Sequence, residues 1–324
     1  MEKKKLAVIF DTNSYRKIVN NKNLEDSIAN ISAIKQLENK KDIQAFGSII
    51  VGMEMLGNLA EGESGFNYKD CLNGTILLAK HCNDESINQP RIIAHVPLLM
   101  EQSLFGSIKS ARLEHDTQSM AGTIIDFRDD YQKAITHHES VNTFENIKKY
   151  LDFKEEEFCT QIENLIEGAI NLIKQKNPKA DKKALRTKTL EFLRSPAFLN
   201  MMSMAVVKVI YINAGEDISD EELSNRGEFF RNTFPLAAGF YQWITIEVFD
   251  KNIDLRSKTS IQKRWNWQWD YHVSFVVSNS QINGRDIIVV TSDDDLTEII
   301  HSVGFKGRVM TLEEYQIFLN DESA

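Results

Sequence analysis

The sequence predicts an α/β fold in which a parallel sheet carries helices on its faces and a mostly α-helical insertion interrupts it. Three observations point there. Both ends of the chain alternate short β-branched runs with amphipathic stretches, the pattern of strands joined by crossover helices. The middle, residues 61–254, has helical periodicity and almost no strand signal. Residues 1–60 and 255–324 together make about 130 residues, a normal size for one discontinuous domain.

The elements follow in order. Residues 5–10 form a short buried strand that ends on Asp11. Residues 24–39 place Leu24, Ile28, Ile31, Ile34 and Leu37 at three- and four-residue steps, an amphipathic helix. QAFGSIIVGMEML, residues 44–56, reads as a strand to about Phe46 and then a helix that Ser48 caps. The insertion holds about eight helices. One, over 153–176, carries Phe158, Ile162, Leu165, Ile166, Ala169, Ile170 and Ile173 on one face. Near the end, 270–283 reads as a helix stopped by Asn283-Gly284, and DIIVVT, 286–291, as a strand buried on both faces. DDDLTEIIHSV is then a short helix and GRVM a strand. Thr311 with Glu314 forms a capping box for the last helix.

Composition narrows the function classes. The formal net charge of −9 disfavours a protein that coats nucleic acid by overall charge, though not a local basic groove. Cys71, Cys82 and Cys159 have no metal-ligand spacing and read as reduced thiols. The apolar run at the start stops at Asp11, too short for a signal segment, and no window reads as about 18 consecutive apolar residues. The expectation is a cytoplasmic protein with no membrane partner.

In an open α/β sheet, ligands bind beyond the carboxyl ends of the strands. Asp11 and Asp293 both follow predicted strands and so fall on that edge. Glu54 lies about two turns into the helix after Ser48, and Asp270 starts the helix that leads back to the strand before Asp293. Each acid has a plainer reading as a turn residue, a cap or a solvated side chain. Asp11 resists it most, because Leu6, Val8, Ile9 and Phe10 make its strand central and a buried carboxylate needs a partner or a metal.

VIFDTNSY, SIIVGMEML, WDYHVSFVVSNSQ and VVTSDDDL occur in that order, and the set resembles the PIN-domain family of nucleases. Asp11-Thr12-Asn13 matches the family's first motif, Ser48 to Glu54 its second, Asp270 its third, and Thr291-Ser292-Asp293 its last, with Asp295 where many members carry a further acid. The resemblance covers both chain ends and none of the insertion. It implies a three-layer α/β/α domain and a Mg²⁺- or Mn²⁺-dependent endonuclease, most often acting on RNA, that cuts by in-line attack of water. It also implies a metal site of Asp11, Glu54, Asp270 and Asp293, joined by Asp295, with Asn13 and Thr291 orienting carboxylates or phosphate. Clustered carboxylates suit hard divalent cations, which take oxygen ligands.

Arg256, Lys258, Lys263 and Arg264 interleave with Trp265, Trp267 and Trp269, a pattern suited to phosphate contact with base stacking. The plainer reading packs the tryptophans between insertion and α/β domain. His137-His138 and the cysteines receive no metal role. A haloacid-dehalogenase-like phosphohydrolase wants a second Asp where Asn13 stands. The other alternative is an inactive domain that only binds RNA or protein. The resemblance leaves room for an inhibitor or antitoxin-like protein partner and for a homo-oligomer.

Overall fold

The computed structural model of the chain describes residues 5–278, 281–302 and 307–321. In chain order the first elements are β1 (Leu6–Phe10), α1 (Thr12–Val19), α2 (Leu24–Lys40), β2 (Ile43–Ser48), α3 (Ile49–Asn58) and α4 (Tyr68–His81). Three two-residue strands follow: β3 (Asn83–Asp84), β4 (Gln89–Pro90) and β5 (Ile92–Ile93). The helical stretch is α5 (Val96–Phe105), α6 (Ala111–Asp129), α7 (Tyr131–Ser140), α8 (Thr143–Lys176), α9 (Lys182–Leu193), α10 (Pro196–Asn213), α11 (Asp220–Thr233), α12 (Pro235–Asp250) and α13 (Ile261–Ser278). The chain closes with β6 (Gln281–Ile282), β7 (Arg285–Val290), α14 (Asp294–Ser302), β8 (Val309–Met310) and α15 (Leu312–Asn320).

The fold is mixed α/β, largely helical, with a curled, parallel-rich sheet. It divides into two units: Met1–Leu99, Ser110–Leu151 and Asn279–Ala324 make the first, Met100–Lys109 and Asp152–Ser278 the second.

The first unit holds the sheet, in the order β5-β2-β1-β7-β6, with β8 also pairing with β7. Strands β5, β2, β1, β7 and β8 are mutually parallel, and only β6 runs antiparallel. Ala7 to Phe10 of β1 and Ile287 to Val290 of β7 are buried, as expected of β-branched and aromatic runs flanked by strands on both sides. Strands β6 and β7 form a tight hairpin. Its two turn residues, Asn283 (φ 51°) and Gly284 (φ 72°), take the left-handed conformation such turns require. Helix α4 is buried nearly all round, with Ile76, Leu77, Leu78 and Ala79 fully inside, the signature of a core helix. Gly52 lets α3 approach α6, because a Cβ there would stand 2.3 Å from Ile124 Cδ1.

In the second unit α10 packs on α11 and α12 on α13. Trp267 is fully buried against Trp243, ring centroids 5.7 Å apart. Trp265 and Trp269 meet edge to face at 5.6 Å. These ring contacts lie within the helical unit.

The structure departs from the sequence expectations at several points. The sheet unit extends past residue 60 to take in α4, β5, α6 and α7, whose helical periodicity resembled that of the insertion. Strand β5 is too short to show alternation, so the sheet's outer strand was invisible to a pattern of period two. Residues 255–278 belong to the helical unit. Helix α13 begins at Ile261 and ends at Ser278, and Gln281–Ile282 is strand, so the expected helix over 270–283 is both late and long. Residues 279 and 280 of that expectation, and Val303 of the next helix, lie outside the described residues. Helix α8 is longer than 153–176, and 61–254 carries nine α-helices among the described residues where about eight were expected. Helix α10 is long and apolar enough, by length and composition, to cross a bilayer; Asn200, Ser203 and Lys208 hide this from a count of consecutive apolar residues.

Candidate active site

The site is built by the central strand pair. Strands β1 and β7 run parallel with Phe10 opposite Val290, so both deliver their next residues to one edge. From β1 the chain crosses to β2 and β5 on one side; β7 and β8 lie on the other. The strand order therefore reverses between β1 and β7, and the crevice beyond the carboxyl ends at such a reversal is where α/β sheets bind ligands.

Asp11 and Asp293 flank that point, and each caps a helix. Asp11 Oδ1 accepts from the Ser14 amide at 2.6 Å and caps α1. Asp293 Oδ1 accepts from the Leu296 amide at 2.9 Å at the start of α14. Thr291 joins them. Its hydroxyl donates to Asp11 Oδ2 at 2.5 Å and accepts from the Asp293 amide at 3.0 Å. Its own amide donates to Met310 O of β8 at 3.0 Å, which ties the bridge into the sheet. Ser14 Oγ donates to Val290 O at 2.7 Å, and the Asp11 amide to the same carbonyl at 3.1 Å. The Thr12 hydroxyl donates to Glu54 Oε2, which brings the α3 acid to the start of α1.

Asp11 is only 7% exposed. Burial pushes its carboxyl above the usual range; hydrogen bonds from Ser14 and Thr291 oppose this, and repulsion from Asp293 adds to it. Asp293 is likewise raised, first by burial, against the Leu296 amide and with Asp295 and Asp294 adding repulsion. Two neighbouring carboxylates thus pay for their charge on one edge.

Behind this edge lies a buried polar chain. Tyr15, one turn after Asp11, meets His81 Nδ1 at 3.0 Å; His81 Nε2 meets Glu38 at 3.0 Å; and Tyr315 donates to Glu38 at 2.9 Å. Phe10 packs on the rings of His81, Tyr15 and Tyr315. The network fixes α1 against α2, α4 and α15 with every polar group partnered.

The predicted residues fare unequally. Asp11, Thr291, Asp293 and Glu54 all lie in the first unit, and Asp295 sits in the first turn of α14. Asn13 is exposed, and Ser14 and Thr291 hold the carboxylate it was expected to orient. Asp270 lies in the middle of α13, in the second unit, so it does not open a helix. Arg256 is engaged by Glu163, Glu156 and Thr160, and Arg264 by Glu155 and the Leu255 and Ser257 carbonyls. Both clasp the chain before α13 to α8, where phosphate contact was expected. Lys263 lies over the Trp267 ring at 4.7 Å, and Lys258 is exposed. Sequence reasoning named Thr12 in the first motif without giving it a role and passed over Ser14; the Asp-x-x-Ser spacing of a capped helix start was the signal for the second.

Among the described residues, no three or more His, Cys, Asp or Glu side chains form a ready metal cage. No family model matches the chain, and neither a curated protein nor a solved structure matches it.

Proposed function

We propose that the first unit is a Mg²⁺- or Mn²⁺-dependent endonuclease of PIN-like, three-layer architecture, acting on RNA. The observation that carries this reading is the pair Asp11 and Asp293 at the strand-order reversal, bridged by one threonine hydroxyl. The donor chemistry fits a hard cation. Magnesium keeps several waters and takes one or two carboxylates together with substrate phosphate, so it needs no all-protein cage. Positive charge would also offset the burial and repulsion that raise both carboxyls.

Asp11 and Asp293 would hold the cation directly, with Glu54 and Asp295 reaching it through water. When bound, such a cation supplies charge against the scissile phosphate and makes the attacking water more acidic. The protein's own part is positioning. Thr291 sets the separation of the two carboxylates, the α1 and α14 caps fix their rotamers, and Thr12 turns Glu54 toward the same helix start. Arg256 and Arg264, engaged by carboxylates of α8, have no part in this site.

The test is cleavage of labelled single-stranded and structured RNA, with and without Mg²⁺ or Mn²⁺, by wild type and Asp293→Asn. Metal-dependent cutting lost in the variant supports the reading. Absence of both cutting and calorimetric metal binding moves it to a domain that only binds RNA or protein.

A further inference from the structure

The first unit contains a second concave site. A cavity of about 610 Å³ opens beside the carboxyl ends of β2 and β5, between α6 and the start of α8. That volume suits a ligand of nucleotide size. Ile49, Met53, Met120 and Ile147 supply its apolar walls. Its polar groups are almost all neutral: Thr117, Asn146, and the paired His95 and Tyr150, whose ring nitrogen and hydroxyl lie 3.3 Å apart. Charge is confined to Arg112 and Asp116, largely exposed and 3.7 Å from each other.

Thr117 marks this wall as unusual. Several other buried helical threonines return their hydroxyl to the carbonyl four residues back, as Thr75, Thr123, Thr189 and Thr245 do. Thr117 is 8% exposed, and its hydroxyl has no hydrogen-bond partner. A buried hydroxyl without a partner costs about 1–3 kcal/mol and calls for an explanation such as a ligand.

Hydrogen-bonding side chains between apolar and polarizable walls match a heterocyclic base, whose edge is polar and whose faces are not. Met53 in the cavity and Glu54 at the acidic edge are neighbours on α3, so the two sites lie on adjacent faces of one helix about 10 Å across. We propose that this cavity receives the base of a nucleotide adjoining the phosphate that is cut, an assignment that rests on the nuclease reading for its place on the strand. Arg112 at the mouth would meet the attached phosphate, and Asp116 would repel a phosphate anywhere else on the rim.

The experiment is calorimetric titration of the full chain, in EDTA, with AMP, GMP, CMP, UMP and, as a base-free control, ribose 5-phosphate. At least one mononucleotide should bind about tenfold or more tighter than ribose 5-phosphate. Met120→Trp, which fills the cavity, should abolish binding. Tyr150→Phe, a milder change that keeps the ring, should weaken it several-fold and guards against misfolding of the first variant. Mononucleotides that bind no better than ribose 5-phosphate, or that bind both variants as they bind wild type, overturn the assignment. Base-dependent binding in a protein that cuts no RNA with metal supports the cavity and overturns the nuclease reading alone.

Discussion

Thr291→Val removes the one hydroxyl that joins the Asp11 carboxylate to the Asp293 backbone amide while keeping the shape of the side chain. Thr291 is 1% exposed, so water does not replace what is lost. The variant deletes a charge-assisted hydrogen bond to Asp11, worth about 1.5–3 kcal/mol, and strips the Asp293 amide of an acceptor, worth about 1 kcal/mol. The sum is a local loss of about 2–4 kcal/mol. Hydrogen exchange of peptides spanning β1, α1, β7 and the start of α14 should accelerate roughly 30- to 1,000-fold where opening limits exchange. Asp11 also loses a contact that favours its charged form, so its raised pKa should rise further. Metal uptake, which needs the carboxylate, should then fail at a higher pH than in wild type. Thr291→Ser keeps the hydroxyl and should restore most of both effects. If Val and Ser variants exchange alike and take up metal alike, the bridging role of Thr291 is refuted.

Three further outcomes follow from the same geometry. Asp11→Asn and Asp293→Asn should keep the fold, since an amide oxygen can still cap each helix, and should lose metal-dependent cleavage. Their stability reads the linkage sign: a raised carboxyl contributes stability below its unfolded pKa and loses it as pH rises through the folded value, so at neutral pH each ionised Asp costs stability. Asp293→Asn should thus melt at or above wild type at neutral pH without metal, Asp11→Asn should give back part of that gain because its single oxygen leaves Thr291 without a carboxylate acceptor, and added Mg²⁺ should raise the melting temperature of wild type only. Tyr315→Phe removes a buried donor to Glu38 and should cost about 1–3 kcal/mol in urea unfolding, because the buried carboxyl loses a hydrogen-bond partner. Arg264→Ala should cost about 2–4 kcal/mol by leaving Glu155 without its partly buried partner, and should leave RNA affinity unchanged when binding is followed by anisotropy.

What could be read from the chain alone depended on how local the cause was. Strands β1 and β7 announce themselves because burial on both faces demands uninterrupted apolar runs. The Asn283-Gly284 hairpin and the Thr311–Glu314 capping box are legible because backbone geometry there selects residue types. Asp11 and Asp293 could be placed on one sheet edge because each follows a legible strand. Other features have non-local causes. Helix α4 differs from its neighbours only in being surrounded, which a single sequence does not record. Strand β5 is defined by Arg91 O accepting from the Gly47 amide and by its pairing with β2, not by its own two residues. Asp270 opened a helix in the sequence reading because the family's third motif was placed there; Trp267 and Trp269 are buried in α13, which runs through them from Ile261. Arg256 and Arg264 looked available because their partners lie about 100 residues earlier in the chain.

All four tryptophans, Trp243, Trp265, Trp267 and Trp269, fall in the second unit, while the first carries tyrosines such as Tyr15, Tyr68 and Tyr315. The chain is therefore labelled by its own chromophores. Indole emission follows the helical unit, and far-ultraviolet dichroism follows both. If the two signals give one unfolding curve, the units come apart as a single cooperative body; if they separate, each has its own stability. The same asymmetry governs any titration: indole quenching by a nucleotide speaks first for α12 and α13, so a ligand seated at the Asp11–Asp293 edge is better followed through calorimetry than through light.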